Sequence, residues 1–118
     1  MMAAIADPGL GAALAAFHAD IGSRWTVDDL AHAAAMGRTA LSTRFREVLG
    51  ITPLQYLTSW RMQTAKRLLA ESRRSLDQIA RAVGYESSAS FSRTFRREIG
   101  MRPGAFRHRA GERGMAGS

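Results

Sequence analysis

Apolar residues recur along this chain three and four positions apart, the spacing of helices that bury one side. Asp7-Pro8 is a helix start, with Asp as N-cap and Pro at N1. Leu10, Leu14, Phe17 and Ile21 follow on one face, His18 beside them reads as structural, and Gly22-Ser23-Arg24 ends the helix before Trp25, an expected packing anchor. Thr26-Val27-Asp28-Asp29 is a capping box that opens a short Ala-rich helix over Val27, Leu30, Ala31, Ala33 and Ala34. After the break at Ala35-Met36-Gly37, a helix capped by Gly37 or Thr39 buries Leu41, Phe45 and Val48 or Leu49. It turns Thr39, Ala40, Thr43, Arg46 and Glu47 the other way and stops at Gly50.

Thr52-Pro53-Leu54-Gln55 is a second box, and the longest helix runs from Pro53 to Glu71, ~28 Å at the helical rise. Leu54, Leu57, Trp60 or Arg61, Ala65 and Leu68 or Leu69 are its predicted apolar stripe, with Arg61, Lys66 and Arg67 as a basic remainder. Ser75-Leu76-Asp77-Gln78 is a third box, opening a short helix with Leu76, Ile79, Ala80, Ala82 and Val83, and Gly84 turns the chain. From Ser88 to Ile99 a helix has two distinct faces. Phe91, Phe95 and Ile99 form one stripe, while Arg93 and Arg97 lie nearly opposite, with Ala89 and Ser90 a turn earlier and Arg96 at the flank. Gly100 is its stop. A last helical turn begins at Pro103, with Phe106 inward and Arg107, His108 and Arg109 outward. Every element is helical, so the predicted class is all-α.

The chain contains itself twice. Adding 50 to Leu41 through Pro53 gives Phe91 through Pro103, with Ser42/Ser92, Phe45/Phe95, Arg46/Arg96, Gly50/Gly100 and Pro53/Pro103 identical. Upstream the offset is 49: Thr26/Ser75, Asp28/Asp77, Leu30/Ile79, Ala31/Ala80 and Ala33/Ala82. A match at caps, core positions and stops is an architectural signal. Each copy is two short helices joined by a tight turn, the second helix with a polar outer face, which reads as a helix-turn-helix. Two such units on one face of a duplex would sit ~34 Å apart, and a head-to-tail repeat would read an asymmetric site.

Charge sharpens this picture. Of 118 residues, 17 are Lys or Arg and 10 Asp or Glu, a formal net charge of +7. Residues 1–37 hold one arginine and four acids, residues 38–118 sixteen basic and six acidic residues. Such asymmetry points to a polyanion as partner. All basic residues but Lys66 are arginine, suited to bidentate contact with phosphate and guanine. No cysteine is present, which removes thiolate metal sites and cysteine nucleophiles. The start, Met1-Met2-Ala3-Ala4, has no basic leader region, and no apolar run reaches the ~20 residues of a membrane span.

Gly84-Tyr85-Glu86-Ser87, Phe91-Ser92-Arg93, Phe95-Arg96-Arg97, Gly100 and Pro103 form a spaced set, with Leu41-x-x-x-Phe45, Gly50-Ile51-Thr52-Pro53-Leu54-Gln55-Tyr56-Leu57 and Arg61-Met62 in the first half. On these residues the chain resembles the C-terminal DNA-binding domain of the AraC/XylS family of bacterial transcriptional regulators, over roughly residues 8–109. The resemblance implies seven helices: a first helix-turn-helix subdomain (7–52), a linker helix (53–72) and a second subdomain (73–109), with 110–118 as a disordered tail. It implies sequence-specific binding of double-stranded promoter DNA, the two recognition helices entering successive major-groove segments. Transcription activation with RNA polymerase as partner, and a cytoplasmic location, go with it. Most members carry an N-terminal sensing or dimerisation domain, so this chain is expected to be either the DNA-binding part of a longer ligand-responsive regulator, which its abrupt start favours, or a short stand-alone member.

Carried over by residue, base contacts fall on Arg38, Thr39, Ser42 and Thr43 in the first recognition helix and on Ser88, Ala89, Ser90 and Arg93 in the second, with Arg93 placed to hold a guanine. Arg46, Arg96 and Arg97 read as phosphate contacts, and Arg44 as a sideways, solvated charge. There are departures from the family pattern. Thr43 stands where an arginine is common. Ala35 stands where the turn has Gly (Gly84 is its counterpart), a cost of ~1 kcal/mol if φ is positive there. Gly37 replaces a serine N-cap, a loss of a few tenths of a kcal/mol, by order of magnitude.

No catalytic residue, metal site or cofactor is expected. The three histidines, His18, His32 and His108, are scattered, no paired carboxylates share a helix face, and no phosphate-binding loop is present. The alternative is a protein-interaction module or general RNA binder, but RNA readers expose aromatics for stacking, and the aromatics here sit at core spacing.

Overall fold

The computed structural model describes the backbone of residues 7–116 and the side chains of residues 7–112. The expectations for residues 1–6 and 117–118 lie outside them. Among the described residues there are seven helices and no strand: α1 (Pro8–Ala19), α2 (Val27–Ala33), α3 (Arg38–Leu49), α4 (Pro53–Glu71), α5 (Leu76–Ala82), α6 (Ser88–Ile99) and α7 (Pro103–Ala116). The all-α expectation and the order of elements hold.

Local chemistry sets the helix starts. Asp7 accepts from the Leu10 N–H at 3.2 Å. All three capping boxes close. Thr26 Oγ1 accepts from Asp29 N–H at 3.1 Å while Asp29 Oδ2 accepts from Thr26 N–H at 2.9 Å. The Thr52–Gln55 and Ser75–Gln78 boxes repeat this at 3.1 and 2.8 Å. Each such cap contributes about 1 kcal/mol by satisfying N–H groups the helix leaves open. α3 and α6 end alike, on Gly50 (φ 75°) and Gly100 (φ 91°), whose N–H groups bond the carbonyls of Arg46 and Arg96.

The chain forms two compact units, Met1–Thr58 and Ser59–Ser118, with the boundary inside α4. The first closes over Leu10, Phe17, Leu30, Leu41, Phe45 and Leu57, all fully buried. The second closes over Met62, Leu69, Ile79, Val83, Phe91 and Phe95. The repeat reaches further in space than in sequence. Leu10, Ala13 and Phe17 of α1 have the same spacing as Met62, Ala65 and Leu69 of α4, and all six are buried. Downstream, Tyr56 meets Phe45 with ring centroids 5.7 Å apart, and Phe106 meets Phe95 at 5.7 Å. Each unit therefore consists of a helix-turn-helix pair held between a helical segment before it and one after it.

Several expectations are corrected. Leu54 is 60% exposed, outside the buried stripe of α4. Leu57 is buried as expected and Tyr56 turns inward beside it, and the midpoint of these two lies about 110° around the helix from Leu54. Trp60 is also exposed, while Met62 is buried. Ile21 lies beyond α1, which ends at Ala19 as the Asp20 N–H bonds Phe17 O at 3.1 Å. Trp25 does anchor that corner, donating from Nε1 to Asp20 O at 2.8 Å and meeting the Phe17 ring edge-on at 6.0 Å. Arg107 does not point outward: Nε donates to Leu69 O at 3.1 Å and a terminal nitrogen to Ser72 O at 3.3 Å, satisfying carbonyls at the end of α4. α7 continues as helix through residues 110–116, where a disordered tail is expected, with His108 and Glu112 paired one turn apart at 2.9 Å.

Candidate nucleic-acid interface

The two helix-turn-helix corners are built by matching hydrogen bonds. In the first, Ala34 N–H bonds Leu30 O at 2.9 Å and Met36 N–H bonds Ala31 O at 2.9 Å. In the second, Val83 N–H bonds Ile79 O at 3.0 Å and Tyr85 N–H bonds Ala80 O at 2.8 Å. Between each pair sits a left-handed residue, Ala35 (φ 57°) or Gly84 (φ 92°). The extra residue of the second turn is Glu86. The corners pack differently against the preceding helix: a Cβ on Gly9 would lie 2.8 Å from Met36 Cε and 3.0 Å from Ala34 O, so α1 needs Gly there to approach. In the second unit Arg61 places its guanidinium 5.9 Å from the Tyr85 ring centre. Burial raises the Tyr85 phenol above its ordinary pKa, Arg61 opposing the shift, and also lowers Arg61.

α6 is fixed from below. Phe91 and Phe95 are fully buried with centroids 5.7 Å apart, and Tyr85 stands 5.8 Å from Phe91. Its outer face carries Ala89, Arg93, Arg96 and Arg97, all exposed. Arg97 Nε lies 3.1 Å from Glu98 Oε2, whereas Arg93 and Arg96 make no ion pair among the described residues. Ser88 is half-buried. Ser90 is half-buried too, and its hydroxyl donates to Ser87 O at 3.1 Å while its N–H donates to Ser87 Oγ at 3.1 Å. Ser90 is thus part of the N-cap as well as a candidate base contact.

α3 presents Arg38, Thr39, Thr43 and Arg46 to solvent, with Ser42 half-buried, over buried Leu41 and Phe45. Its N-cap is Gly37, with no side-chain bond, where α6 has Ser87. Arg38 Nε lies 3.2 Å from Asp28 Oδ1 of α2, both side chains 67% exposed, a pair worth well under about 1 kcal/mol that a phosphate or base could displace.

Arg44 is not a solvated charge. Its guanidinium binds Asp7 Oδ2 through Nε at 2.9 Å and also through a terminal nitrogen, and it lies 3.6 Å from Glu47. This pairing, with the Leu10 N–H, holds the Asp7 carboxyl below the usual carboxylate range. Arg44 therefore ties α3 to the start of α1 and leaves the outer face to its neighbours. His18, expected to be structural, lies with Nε2 2.8 Å from the Tyr56 hydroxyl, and burial lowers its pKa. No described helix is long and apolar enough to cross a membrane.

Residues 30–109 match the model of a helix-turn-helix domain family. A putative AraC-like transcription regulator of Streptomyces lividans is 44% identical over 106 residues, covering 90% of this chain and 35% of its own length. The chain thus spans about a third of the curated relatives it matches. Among solved structures, the DNA-binding domain of the global transcriptional factor AdpA, in complex with a target DNA, superposes with a TM-score of 0.84 at 34% identity, covering 91% of this chain and 96% of that one. An AraC-type regulator from Chromobacterium violaceum superposes with a TM-score of 0.78 at 30% identity, over 89% and 94% of the two chains.

Proposed function

This chain belongs to the AraC-type helix-turn-helix family of transcription regulators, as its DNA-binding domain, and we propose that it reads an asymmetric promoter site with two recognition helices, α3 and α6. The observation that carries the reading is α6 itself: two fully buried phenylalanines below, and Arg93, Arg96 and Arg97 exposed above. A helix so arranged can enter a major groove and present both base-reading and phosphate-binding groups. Residues 7–52 and 73–109 act as the two reading modules, with the helix over 53–72 between them.

Arg38, Thr39, Ser42 and Thr43 of α3, and Ser88, Ala89, Ser90 and Arg93 of α6, are the base-facing set. Arg46, Arg96 and Arg97 hold phosphates, which fix register without specifying sequence. Having Thr43 where α6 has Arg93, the first unit contributes less discrimination than the second. The domain binds and performs no catalysis. It acts in the cytoplasm on promoter DNA, contacts RNA polymerase to activate transcription, and serves a longer regulator whose sensing or dimerisation domain lies N-terminal to it.

Selection of bound sites from random duplexes tests this reading. Enrichment of an asymmetric motif with two conserved blocks about one helical turn apart is the expected result. Recovery of no motif, or of a single short block, would overturn the two-helix reading.

A further inference from the structure

Between α6 and the start of α7 lies an open cavity of about 380 Å³. Arg93 and Arg96 line it from α6, Arg102 from the α6–α7 turn, Pro103 from the start of α7 and Leu76 from α5. Three arginines thus border one concavity. Arg93 and Arg96 already belong to the proposed DNA face, while Arg102 is a cation that neither the repeat nor the family resemblance assigns. It is exposed and has no acceptor among the described residues. We propose that Arg102 holds a backbone phosphate of the duplex at the rim of this cavity, adjacent to the phosphate held by Arg96 and next to the base read by Arg93.

The first unit shows why this grip belongs to the second alone. Fifty positions earlier, Arg96 corresponds to Arg46, but Arg93 corresponds to Thr43 and Arg102 to Thr52. Thr52 is occupied: its hydroxyl accepts from Gln55 N–H at 3.1 Å and its N–H donates to Gln55 Oε1 at 2.8 Å. Arginine meets phosphate oxygens with a planar fork of donors. A duplex phosphate is the favoured anion because the cavity opens on the helix that carries the base-reading residues. The site rests on the DNA-binding reading above and adds a residue and a contact to it.

The test is fluorescence anisotropy of the 118-residue chain on a labelled mixed-sequence duplex between 50 and 200 mM salt. Arg102→Ala is compared with Arg109→Ala, a change of equal charge further along α7, and with Arg102→Lys. A phosphate contact contributes about −0.9 to the slope of log K against log salt. Arg102→Ala should lower the magnitude of that slope by about one unit, so that the ratio of wild-type to variant affinity shrinks about 3.5-fold across the range. Arg109→Ala should keep the wild-type slope, and Arg102→Lys should restore it. An unchanged slope in Arg102→Ala, with or without a loss of affinity, overturns the Arg102 contact while the DNA reading stands, as does an equal change in Arg109→Ala. If the wild-type chain itself fails to bind the duplex, the DNA reading fails and takes the Arg102 contact with it.

Discussion

Ala35 and Gly84 occupy the same place in the two copies of the turn, and both are left-handed, with φ 57° and 92°. The alanine has a Cβ in a conformation that crowds it against the backbone, a penalty of roughly 1–2 kcal/mol, partly offset because Gly loses more freedom on folding. Ala35→Gly should therefore stabilise the protein by about 1 kcal/mol, and Gly84→Ala should destabilise it similarly. Urea denaturation measures both. A glycine variant no more stable than wild type would show that the first turn is not left-handed in solution.

Asp7 does two things at once, capping α1 and holding Arg44 of α3. Its folded pKa is depressed, first by the hydrogen bond from Arg44 and then by the Leu10 N–H. A depressed carboxylate adds stability above its unfolded pKa, about 3.9, and that stability is lost as pH falls through the lower folded value. Asp7→Asn keeps a good N-cap but loses the charge. The melting-temperature gap between wild type and Asp7→Asn should be constant from pH 7 down to about 5, then close as the carboxylate takes up its proton below about 4. A gap that does not change with pH would remove the ion pair from the account.

Phe95 is fully buried between Phe91 and Phe106, with ring centroids 5.7 Å from each. Phe95→Ala removes a ring from the centre of the second unit and should cost about 3–5 kcal/mol in chemical denaturation. Phe45→Ala should do the same in the first unit, where Phe45 meets Tyr56. Loss below about 1 kcal/mol in either would mean that the helix phase set by these phenylalanines is wrong.

What the sequence could and could not reveal divides by range. Caps, stops and buried stripes are local, and Thr26–Asp29, Ser75–Gln78 and Phe91–Phe95 were all legible because each signal lies within a few residues, whereas the left-handed Ala35 was legible only conditionally, from the family pattern and its counterpart Gly84. The repeat made the two corners readable as one design. Polar contacts between distant elements were not legible: Arg44 meets Asp7 across 37 positions, and Arg107 reaches carbonyls 35 and 38 positions away. In the sequence both are surface arginines like their neighbours, and nothing in their spacing names a partner. Leu54 was misplaced because an apolar residue in the first turn of a helix fits several phases, and only the buried Tyr56 and Leu57 choose among them. Arg102 read as one more basic residue until the fold brought it beside Arg93 and Arg96.

Arg93 and Arg96 lie three positions apart on α6, both exposed, yet they are assigned different work. Arg93 is on the early, outward part of the helix, where side chains reach base edges in a major groove, and Arg96 is at the flank toward the backbone. Against the selected site, Arg93→Ala should cost about 1–3 kcal/mol and relax preference at one base position, with little effect on mixed-sequence DNA beyond a lost charge. Arg96→Ala should weaken selected and mixed-sequence duplexes alike and reduce the salt slope by about one unit. Titrating both variants against both duplexes at two salt concentrations separates the roles, because a base contact changes the ratio between duplexes and a phosphate contact does not. Equal weakening on both duplexes by Arg93→Ala would move Arg93 to the phosphate set and leave the guanine contact to another residue of the same face.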